Sequence, residues 1–541
     1  MKRTRKLLAL TLAILLALLS FAIPVAAAGN AAESSFSFGE QAEHRFYQIV
    51  DKLLNMILRF LNTLIPGLNW AGKIPRLADY STDQFYAGEQ TFDTAVTAES
   101  KWSAGFAEAS LLDGLDVMGG DYYLAGSMEA FNGRVPTERV DDQCVSAYAL
   151  SDGVSGIVAH ASVDCYGLAR GDILEIRKRL SDFAAAHNII SINVSAVHQH
   201  SCIDTLGLAA PLVPAILKNP WATLLPDTDE RAVAGKNPVF MENLYRTVVK
   251  TVTDAVESMT AGSLYYGAAD VSELIHDKRE PIVFDGNLNR LRFVPDDGAR
   301  NEIWICEAGI HCVSLGAAPS ELTADFPYYL KEYVKENAGA DLVFVEGAEL
   351  AITSDTTTLS YDDSIINGKM EALGYAMGEK LLAISDETAL EPVLNVKHAE
   401  VVIPAENEIL ILAARENLLS SMFVRDRLGY AVVTEIGYME LGNRVGIVIA
   451  PGEIAPEMLW GGTLDASESW NNEGWAYRPL AETCGAETLL CFGITNDQIG
   501  YAVPDNECHS MLTENEELIM VSWNVASVLT KAYQALFASV K

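Results

Sequence analysis

Two histidines separated by one residue, His198 and His200, are the side chains of this sequence best suited to hold a metal ion. They follow the run 188–197, which is rich in isoleucine and valine and predicts a strand. Because side chains alternate along a strand, both imidazoles would project from one face at its end and converge on one ion. The alternative is a hydrogen-bonded pair of histidines at the edge of the core.

Four further polar residues stand in or just beyond apolar, strand-like runs. His311 lies within the run 303–315, Asp164 follows the run 156–163, Glu453 follows a Pro-Gly pair, and Tyr501 follows a glycine. In sheets flanked by helices, ligands gather beyond the carboxyl ends of strands, so these residues could meet at one site. Each residue also has a structural interpretation. His311 fits a core histidine, and Asp164 fits a carboxylate that orients a ligating histidine. Glu453 fits a turn cap, and Tyr501 fits a packing aromatic.

Segments of helical and strand-like periodicity alternate from residue 102 onward. This alternation predicts an α/β fold: a single large catalytic domain with mixed β-sheets flanked by helices, preceded by an amphipathic N-terminal helix. Residues 206–236 are proline-rich and predict a loop over a site. Predicted helices cover 172–187, 242–259, 326–337, 367–384 and 516–537, and predicted strands cover 156–163, 188–197, 303–315, 342–345, 444–450 and 489–494.

The first 28 residues have the layout of a secretory signal peptide. Four basic residues precede the uncharged apolar run 7–23, and three alanines end at position 28. An uncleaved membrane anchor is the alternative, since the run is near the lower length limit for a membrane span. The protein is therefore expected to be secreted or on the cell surface, and membrane-anchored if the segment is retained.

Residues 29–100 predict an N-terminal helix and an irregular connection. The helix is expected over 43–64, where apolar residues recur at helical spacing with one wide face before Pro66 and Gly67. This face has two interpretations, packing on the main domain or contact with a membrane surface.

Charge and cysteine content limit the function further. The formal net charge is −35, which argues against a nucleic-acid partner. Export would permit four disulfides among the eight cysteines, but several lie in apolar runs where small buried thiols fit equally well.

Seven segments, in this order, resemble the neutral/alkaline non-lysosomal ceramidase family. Each segment alone is a weak match, whereas their common order is fairly specific. The segments are Tyr123-Leu124-Ala125-Gly126 with Asp142, Ala161-Ser162-Val163-Asp164, Val197-His198-Gln199-His200-Ser201, Asn289-Arg290, Gly309-Ile310-His311 with Ala324-Asp325-Phe326-Pro327, Pro451-Gly452-Glu453, and Asn496 with Gly500-Tyr501.

The resemblance implies that residues 101–541 form a zinc hydrolase domain that cleaves an amide bond in a lipid or small-molecule substrate. Its zinc ligands would fall on His198, His311, Glu453 and Tyr501. Its catalytic groups would be His200 as proton acceptor, Tyr501 or Arg290 as stabilisers of the developing oxyanion, and Thr353.

The sequence departs from the family at its catalytic loop. The family's Gly-Asp-Val-Ser-Pro loop corresponds to 347–354, where Leu350 and Ala351 hold the Gly and Asp positions and Thr353 the serine position. This departure leaves the metal site plausible and weakens the case for ceramide itself. A non-catalytic ceramidase-like binding protein and a metal-dependent esterase or lactonase remain the alternatives.

Overall fold

The computed structural model describes residues 36–64, 74–89, 91–118, 122–126, 133–209, 236–316, 319–415, 419, 421–427 and 429–541, apart from the side chains of 61–64, 415 and 515. The predicted signal peptide and most of the predicted loop 206–236 lie outside these residues. No helix within these ranges is both long and apolar enough to cross a membrane.

The described part of the chain contains long and short α-helices and two single-turn 3-10 helices, Leu77–Asp79 and Ser272–Leu274. The α-helices are α1 (Phe38–Leu64), α2 (Arg170–Ala186), α3 (Pro238–Glu257), α4 (Phe326–Ala338), α5 (Gly368–Ala383), α6 (Glu408–Arg415), α7 (Pro456–Trp460), α8 (Leu480–Cys484), α9 (Asn515–Ile519) and α10 (Val525–Val540).

The strands range from two to twelve residues. They are β1 (Ser103–Ser110), β2 (Glu138–Arg139), β3 (Cys144–Ser151), β4 (Ile157–Val163), β5 (Ile189–Ala196), β6 (Thr260–Asp270), β7 (Ile275–Asp277), β8 (Asn287–Pro295), β9 (Ile303–Ala308), β10 (Glu321–Leu322), β11 (Asp341–Glu346), β12 (Ile352–Ser354), β13 (Thr388–Leu390), β14 (Leu394–Ala405), β15 (Phe423–Arg425), β16 (Tyr430–Leu441), β17 (Val445–Ile449), β18 (Glu453–Ile454), β19 (Thr488–Phe492) and β20 (Tyr501–Ala502).

Two mixed sheets form the centre of the molecule. The larger has the strand order β11-β9-β8-β6-β1-β3-β4-β5, with β13 also pairing β6. Its two ends, β11-β9 and β4-β5, are parallel pairs, and the strands between are antiparallel. The second sheet has the order β14-β16-β17-β19, with β15 on β16, and only β17-β19 is parallel. Short pairs β10-β2, β12-β7 and β18-β20 complete the strands.

The two sheets pack face to face through an apolar layer, and helices cover their outer faces. Residues of β9 and β11 meet residues of β17 and β19 in this layer. Helices α2 and α3 cover one half of the large sheet, α4 and α5 the other half, and α7, α8 and α10 the second sheet. The predicted α/β class, with mixed sheets flanked by helices and a preceding N-terminal helix, is confirmed.

Local sequence signals account for several helix ends. The Asn237 side chain accepts hydrogen bonds from the first backbone N–H groups of α3, and Asp325 caps α4 in the same way. Gly339 ends α4 with a φ of 64°, which glycine adopts without a steric penalty.

Three predicted segments differ from the structure. The predicted strand over 303–315 ends at Ala308, so His311 lies beyond the strand and not within it. The predicted helix over 516–537 is two helices, α9 and α10, with a break at 520–524. The predicted strand over 188–197 ends at Ala196, so the argument that alternation along a strand places His198 and His200 on one face is wrong. All eight cysteines are free thiols, and six of them are buried.

Candidate metal site at the junction of the two sheets

His198 lies two residues after the end of β5. Its φ of 58° places it in the left-handed region, so the extended conformation of the strand does not continue through it. The following residue, Gln199, forms an isolated parallel bridge with Cys312, and the backbone N–H of His200 donates to the Cys312 carbonyl at 3.1 Å. These contacts bring the pair of histidines alongside the segment that carries His311.

Two contacts with Tyr166 fix the orientation of the His198 ring. Its Nδ1 lies 2.7 Å from the Tyr166 carbonyl oxygen, and its ring stacks on the Tyr166 ring with centroids 4.5 Å apart. Since a carbonyl oxygen only accepts, Nδ1 carries the proton and Nε2 keeps its lone pair. That lone pair points toward Glu453, whose Oε1 is 3.4 Å from Nε2.

His311 is held in the same manner by β12. Both its backbone N–H and its Nδ1 donate to the Ile352 carbonyl, at 3.1 and 2.7 Å. Its Nε2 is therefore the unprotonated nitrogen, and it lies 3.2 Å from Glu453 Oε2. The two imidazoles thus present free nitrogen atoms to the two oxygens of one carboxylate.

Glu453 and Tyr501 are direct partners in the short parallel pair β18-β20. The Gln498 side-chain amide donates to Glu453 Oε1 at 3.4 Å. Burial raises the pKa of Glu453 to about 7, and the hydrogen bond from the Tyr501 hydroxyl acts in the opposite direction. The register therefore brings the predicted ligand Tyr501 next to the predicted ligand Glu453.

Three histidines and two carboxylates form one buried group. The candidate ligand atoms of His198, His311, Glu349 and Glu453 all lie within 4.8 Å of one another, as do those of His198, His200 and His311. Burial lowers the pKa of His198 and of His311 to about 4, and it lowers that of His200 well below its usual value. Neutral imidazoles with free nitrogen atoms beside a carboxylate are a suitable donor set for zinc.

Several buried atoms of this group have no hydrogen-bond partner among the described residues. They are His198 Nε2, Glu453 Oε2 and both carboxylate oxygens of Glu349. A buried acceptor without a partner costs about 1–3 kcal/mol or more. Two such acceptors facing each other would be satisfied by one metal ion, so the residues present fit the group that the sequence predicts.

Glu349 is a member of the group that the motif comparison missed. It is fully buried, and its Oε2 lies 3.6 Å from His311 Nδ1. Burial and the charges of Glu346 and Glu453 raise its pKa well above the usual value. The sequence contains an indication of this role, since Glu349 follows the apolar strand 342–345. The loop 347–354 was instead interpreted only as the counterpart of the family's serine loop.

The other predicted catalytic residues lie outside the group. Arg290 on β8 is buried, pairs with Glu387 at 2.9 Å and lies over the Trp304 ring at 4.3 Å. Thr353 on β12 pairs with His276 of β7, one residue beyond the carbonyl that holds His311. Asp164 binds the Cys144 N–H and Lys331, so backbone carbonyls rather than Asp164 orient the ligand histidines. The catalytic roles of Arg290 and Thr353 stay predictions.

A buried ion network fixes the strand that carries His198. The Glu435 carboxylate accepts from Arg170 at 2.9 Å and from Arg177 at 2.8 and 2.9 Å. Arg177 also donates to the Ile192 carbonyl of β5 at 2.8 and 3.0 Å. The Asn496 side chain joins Glu435 to the Val194 N–H, so β5 is tied to the second sheet directly before the site.

An apolar cavity opens next to Glu453. It has leucine, isoleucine, phenylalanine and valine side chains on its walls and Glu453, Gln498 and Tyr166 at the metal site end. The cavity therefore presents an apolar surface directly beside the candidate ligand Glu453. The apolar wall residues are Leu206, Leu208, Leu410, Leu419, Phe423, Ile499, Ile519 and Val521.

Two solved ceramidase structures have a similar fold. Neutral ceramidase from Pseudomonas aeruginosa superposes with a TM-score of 0.56 at 13% identity, covering 81% of this chain and 73% of that chain. A ceramidase complexed with C2 gives a TM-score of 0.56 at 14% identity, covering 81% and 74%. No family model matches the sequence, and no curated protein does. The resemblance drawn from the motifs is thus confirmed as a likeness of fold.

Proposed function

We propose that this chain is a zinc-dependent hydrolase that cleaves the amide bond of an N-acyl lipid, as the name of its ceramidase neighbours indicates for them. The observation that carries the proposal is the convergence of the free nitrogen atoms of His198 and His311 on the two oxygens of Glu453. The N-terminal sequence adds the proposal that the protein is exported.

His198, His311 and Glu453 would hold the zinc ion, with Tyr501 completing the set. Bound there, zinc supplies a water molecule whose pKa is lowered toward ~7. Backbone carbonyls keep the two imidazoles in the ligating tautomer, so neither ring has to reorganise when the ion enters. The Glu349 side chain lies behind His311, and its raised pKa favours the neutral acid until a cation enters the site.

His200 is proposed to accept the proton released in the reaction. Its ring centroid lies 4.8 Å from that of His198 and 5.5 Å from that of His311, close to the reacting centre. Its neutral imidazole has one unprotonated ring nitrogen that can accept a proton, and burial, which lowers its pKa, makes that nitrogen a weaker base than that of an exposed histidine. Tyr501, which carries a hydroxyl beside Glu453, is proposed to donate a hydrogen bond to the carbonyl oxygen of the substrate.

The cavity supports an acyl chain as the apolar part of the substrate. Its apolar walls would contact that chain, with the amide group beside Glu453. Burial of an acyl chain contributes about 0.8 kcal/mol per CH2 group, which favours lipid amides over short polar ones.

Zinc content and amide hydrolysis test this proposal. Dialysed protein should contain about one zinc per chain and hydrolyse a fluorogenic N-acyl substrate. The variants His198→Ala and His311→Ala should lose both the metal and the activity and remain folded, whereas the matched control His187→Ala, at an exposed histidine, should keep both.

Each contrary result has a distinct meaning. Absence of metal from the dialysed protein would refute the zinc site. Full activity in His198→Ala would remove that residue from it. Zinc without turnover of any substrate would identify a binding protein, and cleavage of esters or lactones but not amides would correct the bond that is broken.

A further inference from the structure

Helix α1 packs one face against the protein and directs a row of large apolar side chains outward. On the packed face, His44, Asp51 and Leu58 are buried, with exposed fractions of 2%, 4% and 7%. On the opposite side, four large apolar residues recur at helical spacing, and this set is called the exposed apolar stripe. The exposed fractions are 65% for Ile49, 44% for Leu53, 61% for Met56 and 60% for Phe60.

The inner face of α1 packs against the rest of the protein. The exposed apolar stripe is therefore not the face that holds the helix on the domain. His44 stacks on Trp470 with ring centroids 4.6 Å apart. Asp51 accepts a hydrogen bond from the Met511 N–H at 3.3 Å. A helix that packs one face against the domain and leaves a continuous apolar row in water indicates a second partner.

Basic residues border the stripe along one side. Arg45, Lys52 and Arg59 are exposed and follow one another at intervals of seven residues, two helical turns. The formal net charge of the whole chain is −35, so this row of three basic residues differs in sign from the chain as a whole. An apolar row with a basic border is the pattern of a helix that lies in the interface of an anionic lipid surface.

The helix also contacts a wall of the substrate cavity. The Asn55 side chain accepts from the Glu408 N–H at 3.3 Å, at the start of α6. Two residues further along α6, Leu410 lines the cavity that contains Glu453. The stripe therefore lies on an element that is packed directly against the cavity wall.

We propose that the exposed apolar stripe and its basic border dock the protein on an anionic lipid surface. The stripe enters the boundary of headgroups and acyl chains, and the three basic side chains contact the phosphate groups. Delivery of a lipid amide from that surface to the cavity rests on the proposed function, whereas docking itself does not.

Vesicle binding by the full chain, without substrate and with a chelator present, tests the docking. We expect sedimentation with vesicles of phosphatidylcholine mixed with phosphatidylglycerol, and weaker sedimentation with pure phosphatidylcholine. The double variant Ile49→Asp/Met56→Asp should lower the partition coefficient at least about tenfold, since two apolar contacts are lost. The matched control Val239→Asp/Ile365→Asp, at side chains 57% and 52% exposed, should bind like the unaltered protein.

Oxidation of Met56 by hydrogen peroxide gives a local readout that does not depend on any other membrane-binding segment. Anionic vesicles should slow the formation of sulfoxide at Met56, quantified by peptide mass spectrometry. Met118, which is 41% exposed and lies outside α1, should oxidise at the same rate with and without vesicles.

Two results would overturn the proposal. The first is equal oxidation of Met56 with and without vesicles. The second is a dimer in analytical ultracentrifugation that Ile49→Asp/Met56→Asp dissociates, which would make the stripe an interface between copies of the chain. Neither result bears on zinc content or on hydrolysis of a soluble substrate, so the proposed function would stand or fall separately.

Discussion

Replacement of Glu435 by glutamine should destabilise the fold more than replacement of any exposed glutamate. Glu435 is fully buried, and its carboxylate accepts three hydrogen bonds from Arg170 and Arg177 and one from Asn496 at 3.2 Å. The amide keeps the size of the side chain, but it removes the negative charge and turns an NH2 group toward a guanidinium.

The expected loss of unfolding free energy depends on the hydrogen-bond partners that Arg170 and Arg177 keep in the variant. Arg170 still pairs with Glu400, and Arg177 still donates to Ile192, so neither is left without a partner. Three charge-assisted bonds at about 1.5–3 kcal/mol each would set an upper range, and the retained partners bring the expected loss to about 3–5 kcal/mol. That is a large part of the usual stability of about 5–15 kcal/mol.

Urea unfolding of the two proteins measures the loss. The matched control is Glu487→Gln, whose carboxylate is 62% exposed and pairs with Arg444 at 2.7 Å. An exposed pair contributes about 0–1 kcal/mol, so the control should unfold almost like the unaltered protein. A loss in Glu435→Gln no larger than that of the control would refute the reasoning.

The contribution of Glu435 to the stability of the fold should decrease at acidic pH. Burial opposes its ionisation, but the charge and hydrogen bonds of Arg177 hold the pKa of Glu435 well below its usual 4.5. The group therefore contributes its full stabilisation above about pH 4.5 and loses it as the pH falls through the folded pKa. The difference between the unaltered protein and Glu435→Gln should shrink in acid.

Three other substitutions test separate parts of the structure. Burial lowers the pKa of His160 from 6.5 to about 3, so only the unfolded chain protonates near pH 5. The difference in unfolding free energy between the unaltered protein and His160→Gln should therefore fall by about 2 kcal/mol from pH 7 to pH 5, and a constant difference in urea midpoints would contradict this. Glu349→Gln should weaken zinc binding about 10–100-fold in chelator competition, with exposed Glu391→Gln as the unaffected control, since Glu349 belongs to the buried group of candidate ligands. Thr353→Ala should reduce turnover less than His200→Ala, which removes the proposed proton acceptor and is expected to cost about 10²–10⁴-fold; the reverse order would show that the loop keeps a catalytic role.

The sequence predicted the elements better than the turns between them. Periodicity gave α2 to α5 within a few residues because each buries one apolar face. The break between α9 and α10 was missed because it depends on distant groups. The Asn407 side chain donates to the Leu518 and Met520 carbonyls, and the Glu406 and Asn407 N–H groups donate to Val521, which fixes the segment outside a helix.

Sequence motifs predicted which histidines lie close together. They did not predict the positions of residues that are fixed by contacts with distant parts of the chain. His198 and His200 come together with His311 as expected, but through a left-handed backbone conformation at His198 that strand alternation does not predict. Arg290 could not be placed from sequence, because Glu387, which pairs with its guanidinium, lies 97 positions away along the chain. Glu349 was overlooked for a different reason, since the motif comparison tested the loop only for a serine equivalent.

The position of the candidate metal site explains why the proposed ligands come from separate parts of the chain. His198 follows β5 and His311 follows β9, both in the large sheet, whereas Glu453 follows β17 of the second sheet. At this end the two sheets are joined by backbone hydrogen bonds, from Ala196 to Ile494 at 3.1 Å and from Gly493 to Glu346 at 2.8 Å. Each strand needs to supply only one residue beyond its end, because the packing of the sheets already brings those ends together. The same junction holds the Glu435 network, so the buried charges that tie the sheets together also fix the distance between the two halves of the metal site.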